Sequence, residues 1–379
     1  MGMNKMFKKV LAVVAAGAMT MGMAMPTFAA DAGKTTEAWI TKTYNTEVGK
    51  AEKFSFTAEQ VKTGTGIITT DAAVTMPEIS FIDTEIGTTS RRGQITFPTY
   101  QEAGKYEYTV TETQTVDPAV VDGEHEKMIM SKAEYTMDVY VTDGATGKEI
   151  SNIVVNKVKD DAGQTATGKV DIGNTSTNTF NFTNTYVQEA GTGTDPINPG
   201  PDYTTYGSLD VSKIIKTDAA DTADTNKEFE FTANFTFPNG TDGTTLGAKA
   251  TIGDSTTSIT GTSHTFKLKH GQNVKFTGLP VGTKISVTES ATPNYKGSAE
   301  VVINNGTKEA VAETKYNEAL TVSDKTLGQN KNTVDVTNTY NYVPATGIIM
   351  NTLPYVLMIA LCGVALIAFV GFKRRRLQK

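Results

Sequence analysis

Phe180-Asn181-Phe182-Thr183-Asn184-Thr185-Tyr186 alternates apolar and polar side chains, and its apolar stripe of Phe180 and Phe182 ends on Asn184. Val334-Asp335-Val336-Thr337-Asn338-Thr339-Tyr340 does the same, with Val334 and Val336 leading to Asn338. Period-two alternation rich in Thr, Val, Tyr and Phe predicts half-buried strands. One such stretch near the middle of the chain and one near its end predict a duplicated β plan.

Working outward, the duplication extends to three more features in the same order. Ala38-Trp39-Ile40-Thr41-Lys42 matches Leu209-Asp210-Val211-Ser212-Lys213, and Lys53-Phe54-Ser55-Phe56-Thr57-Ala58 matches Glu228-Phe229-Glu230-Phe231-Thr232-Ala233. Tyr108-Thr109-Val110-Thr111-Glu112 matches Ile285-Ser286-Val287-Thr288-Glu289. Between the copies runs Gly191-Thr192-Gly193-Thr194-Asp195-Pro196-Ile197-Asn198-Pro199-Gly200-Pro201, whose glycines and prolines suit an exposed, partly stiff connector. No long helical pattern precedes residue 347. Many short strands at regular spacing predict an all-β chain of two tandem sandwiches.

Parity within the strands singles out three polar positions in each copy. Lys42 shares a face with Ala38 and Ile40, and Lys213 with Leu209 and Val211. Glu112 and Glu289 end the stripes Tyr108–Val110 and Ile285–Val287. Lysine is rarely buried unless paired, so all six polar residues pointing at cores is unusual. Burial lowers a lysine pKa and raises that of a glutamate. A neutral amine is a nucleophile, and a protonated glutamate can donate to an amide carbonyl and relay protons. Enforced contact supplies a high effective concentration. Attack of lysine on the asparagine side chain would release ammonia and leave a Lys–Asn isopeptide bond tying the first strand to the last. Taken singly, the lysines also fit edge-strand guards, the glutamates solvated positions and the asparagines turns. Two complete triads in one order and one parity favour the bond.

The chain ends point outside the cell. Met1 to Lys9 is basic, Val10 to Met25 mostly apolar, and Thr27-Phe28-Ala29 offers small residues around Phe28. This is the pattern of a secretory signal peptide cleaved after Ala29. At the other end Val343-Pro344-Ala345-Thr346-Gly347 precedes an apolar stretch, Leu353 to Phe372, and then Lys373-Arg374-Arg375-Arg376. The stretch is long enough to span a bilayer, and the basic cluster should remain cytoplasmic. The eight basic residues of the two ends, Lys5, Lys8, Lys9, Lys373, Arg374, Arg375, Arg376 and Lys379, come with no acid, so a chain at −6 becomes −14 once processed. Such a charge argues against nucleic acid or an anionic membrane as partner. The single cysteine, Cys362, falls in the apolar span, so the processed chain has no disulfide to stabilise it.

Two resemblances follow. The C-terminal end resembles the cell-wall sorting signal of Gram-positive surface proteins, read by sortase transpeptidases as Leu-Pro-x-Thr-Gly, with Val343 at the Leu position. The Lys, Glu and Asn contexts resemble FctA-type major pilins. That resemblance implies immunoglobulin-like domains with Lys42–Asn184 and Lys213–Asn338 isopeptide bonds aided by Glu112 and Glu289. It also implies sortase cleavage between Thr346 and Gly347, and capture of Thr346 by a lysine late in the N-terminal domain of another copy. Candidates for that lysine are Lys169, then Lys157 and Lys159.

The expected organisation is a signal peptide (1–29), an N-terminal domain (30–190), a linker (191–205), a C-terminal domain (206–342), the sortase motif (343–347), a transmembrane segment (348–372) and a basic tail (373–379). The expected role is a structural subunit of a pilus on a Gram-positive cell wall, with no cofactor and no metal. Its partners are other copies of itself, sortase, minor pilins and peptidoglycan, with the membrane touched only by the precursor. A monomeric wall-anchored adhesin is the alternative. An enzyme is disfavoured: His125, His264 and His270 sit in polar, loop-like contexts, and Asp218, Asp221 and Asp224 lack an EF-hand pattern.

Overall fold

The computed structural model describes residues 35–120, 122–217, 223–341 and 357–366. The described residues are all-β apart from a short helix, Pro201–Tyr206, and a helical stretch at 357–366. Among the described residues no helix is long and apolar enough to cross a membrane. The signal peptide, the sortase motif, the basic tail and most of the span expected at 348–372 lie outside the described residues.

The N-terminal half pairs two sheets. One carries Gly87–Gln94, Trp39–Thr46, Asn181–Gln188 and Glu126–Ile129 in that order. The other carries Thr165–Lys169, Lys148–Lys159, Glu134–Asp143, Gly104–Glu112 and Phe56–Gln60. Alternation makes each strand bury one face. Glu134–Asp143 puts Tyr135, Met137, Val139 and Val141 inside, all fully buried. Phe182 on the first sheet meets Phe56 and Tyr135 on the second, with ring centroids 5.2 Å apart in both pairs.

The C-terminal half repeats the scheme. A seven-stranded sheet has Leu209–Thr217 and Thr333–Tyr340 as neighbours, and a four-stranded sheet holds Ser263–Leu268, Phe229–Thr236, Lys284–Glu289 and Leu320–Thr326. Phe276 from the larger sheet packs on Phe235 and Phe266 from the smaller.

In each half the first and last strands run parallel, side by side. Trp39–Thr46 pairs with Asn181–Gln188, and Leu209–Thr217 with Thr333–Tyr340. Both strands of the first pair run toward the junction at Glu189, and both strands of the second run away from Ser208. Trp39 therefore lies away from the junction within the first half, and Tyr340 away from it within the second.

The connector departs from expectation. Residues 194–200 are mostly exposed, but Ala190, Gly191 and Thr192 are buried. The closing strand of the first half continues into the second half's hydrogen-bonding pattern: Ala190 N donates to Leu279 O, Val281 N to Gln188 O and Gly191 N to Gly328 O. Gly191 has φ 83°, and a Cβ there would collide with the Gly207 carbonyl. Its glycine serves close packing rather than free flexing.

Candidate functional site

The paired parallel strands place each lysine and asparagine on one diagonal. Lys42 stands opposite Phe182, two residues before Asn184, and Lys213 stands opposite Val336, two residues before Asn338. Side chains two apart share a face, so lysine and asparagine enter the same interior. The glutamate arrives from the facing sheet. Glu112 is the last residue of Gly104–Glu112, and Glu289 the last of Lys284–Glu289. Both lysines and Asn184 are 0% exposed, and Glu112, Glu289 and Asn338 are at most 4% exposed.

Each carboxylate joins the other two groups. Lys42 Nζ is 2.7 Å from Glu112 Oε1, off the angle of a well-formed hydrogen bond, and Asn184 Nδ2 donates to the same oxygen at 3.1 Å. In the second half Lys213 Nζ donates to Glu289 Oε2 at 2.9 Å, and Asn338 Nδ2 donates to Glu289 Oε1. Aromatic rings wall off the amines. Lys42 Nζ lies 4.4 Å from the Phe54 centroid, and Lys213 Nζ lies 4.0 Å from Phe229 and 5.5 Å from Phe231. These rings come from the second repeated motif of the sequence.

Burial dominates the electrostatics. It pushes each lysine down to about 8, against the pull of its glutamate. It raises both glutamates, against the pull of the lysines and the asparagine donors. Taking charge out of water costs more than a single partner returns, so the pair is pressed toward its neutral forms. A neutral amine beside an amide, with a proton carrier in contact with both, can carry out amide exchange.

One chemical detail differs from the sequence reading. Glu112 faces the amide nitrogen of Asn184, not its carbonyl. The carbonyl Oδ1 accepts the Ser131 backbone N–H at 2.7 Å. Ser131 and its anchor Asp161 have no repeat in the sequence to draw attention to them, and a backbone donor leaves no residue-type signature.

The remaining candidates are not brought to the triads. Lys169 is exposed at the end of an edge strand, Lys157 is half-buried with its Nζ 5.4 Å from the Tyr135 ring, and Lys159 pairs with Glu134 at 2.7 Å. Ile172, three residues after Lys169, accepts the Trp39 N–H at 2.8 Å, which puts Lys169 in the part of its half remote from the junction. Of the histidines, His264 is on a strand rather than in a loop, stacked against Phe266. His125 pairs through Nδ1 with Glu189 Oε2 at 2.7 Å. Asp224 is exposed, and among the described residues no group of three His, Cys, Asp or Glu suits a metal.

Comparison with known proteins finds a family-model match in each half. Residues 38–187 match the FctA family, described as the Spy0128-like isopeptide containing domain. Residues 207–340 match a domain of unknown function, DUF7601. No curated protein matches. Among solved structures, the major pilin from Streptococcus pyogenes is 18% identical over 82% of this chain and 100% of its own, with a TM-score of 0.34. A second major pilin of that organism is 20% identical over 82% and 99%, with a TM-score of 0.32. The pilus-presented adhesin Spy0125 (Cpa) is 11% identical over 81% and 99%, with a TM-score of 0.27.

Proposed function

From the match of residues 38–187 to the FctA family, we propose that the chain is the structural subunit of a covalent surface pilus. The reading has two immunoglobulin-like domains, 30–190 and 206–342, joined by 191–205. Each is closed by an isopeptide bond, Lys42–Asn184 and Lys213–Asn338, with Glu112 and Glu289 moving the protons. Sortase cleaves between Thr346 and Gly347 of the Val343–Gly347 motif, and Lys169 of a second copy takes the Thr346 acyl group. The precursor is a single-pass membrane protein, and the product is extracellular, anchored to the wall of a Gram-positive bacterium.

The observation that carries this reading is the repetition of one buried Lys–Glu–Asn arrangement, on the same strand diagonal, in two halves matched by different families. Two buried ion pairs are expensive devices for stability alone. As reactants they give each half a covalent closure that a cysteine-free processed chain otherwise lacks. The polarity of the strands also suits head-to-tail joining, with Tyr340 and Lys169 each in the part of its own half remote from the junction.

Intact mass of the purified chain tests the crosslinks: one ammonia lost per half is expected, and the unmodified mass overturns them. Wall extracts boiled in detergent test the polymer. A ladder of covalent multimers is expected, whereas a single wall-linked species makes the chain a monomeric anchored protein.

A further inference from the structure

The two triads differ in one respect that bears on rate. Asn184 Oδ1 accepts the buried Ser131 N–H at 2.7 Å, whereas Asn338 Oδ1 has no hydrogen-bond partner among the described residues. We propose that the Ser131 backbone N–H is an oxyanion donor for formation of the Lys42–Asn184 bond, so that the N-terminal half closes before the C-terminal half. The inference rests on the isopeptide reading above.

The Ser131 peptide is held on every side. Its Oγ donates to Asp161 Oδ1 at 2.5 Å and accepts the Ala133 N–H at 3.1 Å, and its carbonyl accepts Gln114 Nε2 at 2.9 Å. Asp161 Oδ1 also accepts Thr183 N, one residue before Asn184, at 2.9 Å. The carboxylate thus fixes the donor segment to the strand that carries the acceptor. Asn184 Nδ2 donates to Glu112 Oε1 and approaches Met130 Sδ at 3.3 Å, so the amide cannot easily rotate its oxygen away. Asp161 is a positioning residue, and the Ser131 N–H touches a reacting atom.

The chemistry balances. The neutral Lys42 amine attacks Asn184 Cγ and forms the new C–N bond, and the carbonyl electron pair moves onto Oδ1, where the Ser131 N–H meets it. Protonated Glu112 gives its proton to Nδ2, then takes one from Nζ. The carbonyl reforms, the Cγ–Nδ2 bond breaks and ammonia leaves, with Glu112 protonated as before. A donor already aimed at the developing oxyanion lowers that barrier without reorganising. In the C-terminal half the same charge develops on an oxygen that no donor faces among the described residues.

The test follows both bonds in one molecule. Full-length chain made in a cell-free reaction is quenched in denaturant at intervals, digested, and scored by mass for the Lys42–Asn184 and Lys213–Asn338 branched peptides. In the wild type the Lys42–Asn184 peptide should appear faster by roughly tenfold or more. Ser131→Pro, which removes the N–H, should slow it by roughly a hundredfold while the Lys213–Asn338 peptide keeps its rate. Ser131→Ala keeps the N–H and loses the hydroxyl's bonds with Asp161 and the Ala133 N–H, so it should slow closure by no more than roughly tenfold. Equal wild-type rates, or an alanine variant as slow as the proline one, overturn the proposal. If Ser131→Pro does not fold in an Asn184→Ala background, the wild-type order alone decides. Both bonds forming at equal rates removes only the oxyanion donor, whereas neither bond forming removes the isopeptide reading as well.

Discussion

Lys213 and Asn338 enter one core from parallel neighbouring strands, with Lys213 opposite the residue two positions before Asn338 and Glu289 touching both from the facing sheet. Lys42 and Asn184 repeat that diagonal around Glu112. Bonding the first strand to the last would enclose almost a whole half in one covalent loop.

Glu289→Ala should therefore leave Lys213 and Asn338 unlinked. The intact mass should then show one ammonia lost instead of two. By analogy with a disulfide closing a loop of similar length, losing the constraint should cost about 4–5 kcal/mol. Calorimetry should show the C-terminal half melting more than roughly 10 °C lower. A variant that still loses two ammonia molecules would show that Glu289 is not needed for the chemistry.

Glu52 supplies a pH-dependent prediction. It is 2% exposed, and neither carboxylate oxygen has a hydrogen-bond partner among the described residues. Burial first, then Glu126 and Asp117, raises it to about 7, against Lys50. Its folded pKa exceeds its unfolded one, so between pH 4.5 and about 7 the folded state holds the proton that the unfolded state has lost. Stability from this group is present below that window and lost as pH rises through it. Glu52→Gln should raise stability at pH 8 by on the order of 2–3 kcal/mol and change it little at pH 4. Melting curves at the two pH values check this, and an equal effect at both would refute it.

Much of this arrangement is legible in the sequence because sheet parity is strict. A period of two decides which residues face inward, and so picks out Lys42, Glu112 and Asn184 with their repeats. Parity does not say which atom of an asparagine faces the carboxylate, so the bond from the Ser131 N–H to Asn184 Oδ1 is not legible in it. Nor does it reveal Glu189, which follows a strand and looks like a solvated loop acid. The connector misled for a related reason: glycine marks both loose chain and close backbone approach, and Gly191 is the second case.

Glu189 predicts the stiffness of the junction. It is buried, and Oε1 accepts Tyr203 Oη–H at 2.8 Å, Ser208 Oγ–H at 2.6 Å and the Gly278 N–H, while Oε2 meets His125. One carboxylate thus ties His125 of the first half to Ser208 and Gly278 of the second. Glu189→Ala orphans these donors, each worth about 1–3 kcal/mol. The halves should then move independently. Solution scattering should show a broader distribution of dimensions, and protease should cut faster within 191–200. An unchanged scattering curve would mean that the backbone bonds of 190–193 hold the joint without it.

Lys169 is the last and most exposed test of the polymer. An acceptor amine must reach a thioester held in another protein, so burial and strong pairing both count against a lysine. Lys157 is half-buried over Tyr135, and Lys159 is paired with Glu134. Lys169 is exposed on an edge strand, with no ion pair among the described residues, in the part of its half remote from the junction. Lys169→Arg keeps the charge but replaces the nucleophile with a guanidinium that stays protonated. It should collapse the detergent-resistant ladder to monomer, while Lys157→Arg and Lys159→Arg keep it. In every variant the two ammonia losses should persist, because the crosslinks within a subunit do not depend on joining between subunits. A ladder that survives Lys169→Arg would move the joint to another lysine, which the branched peptide carrying Thr346 would identify.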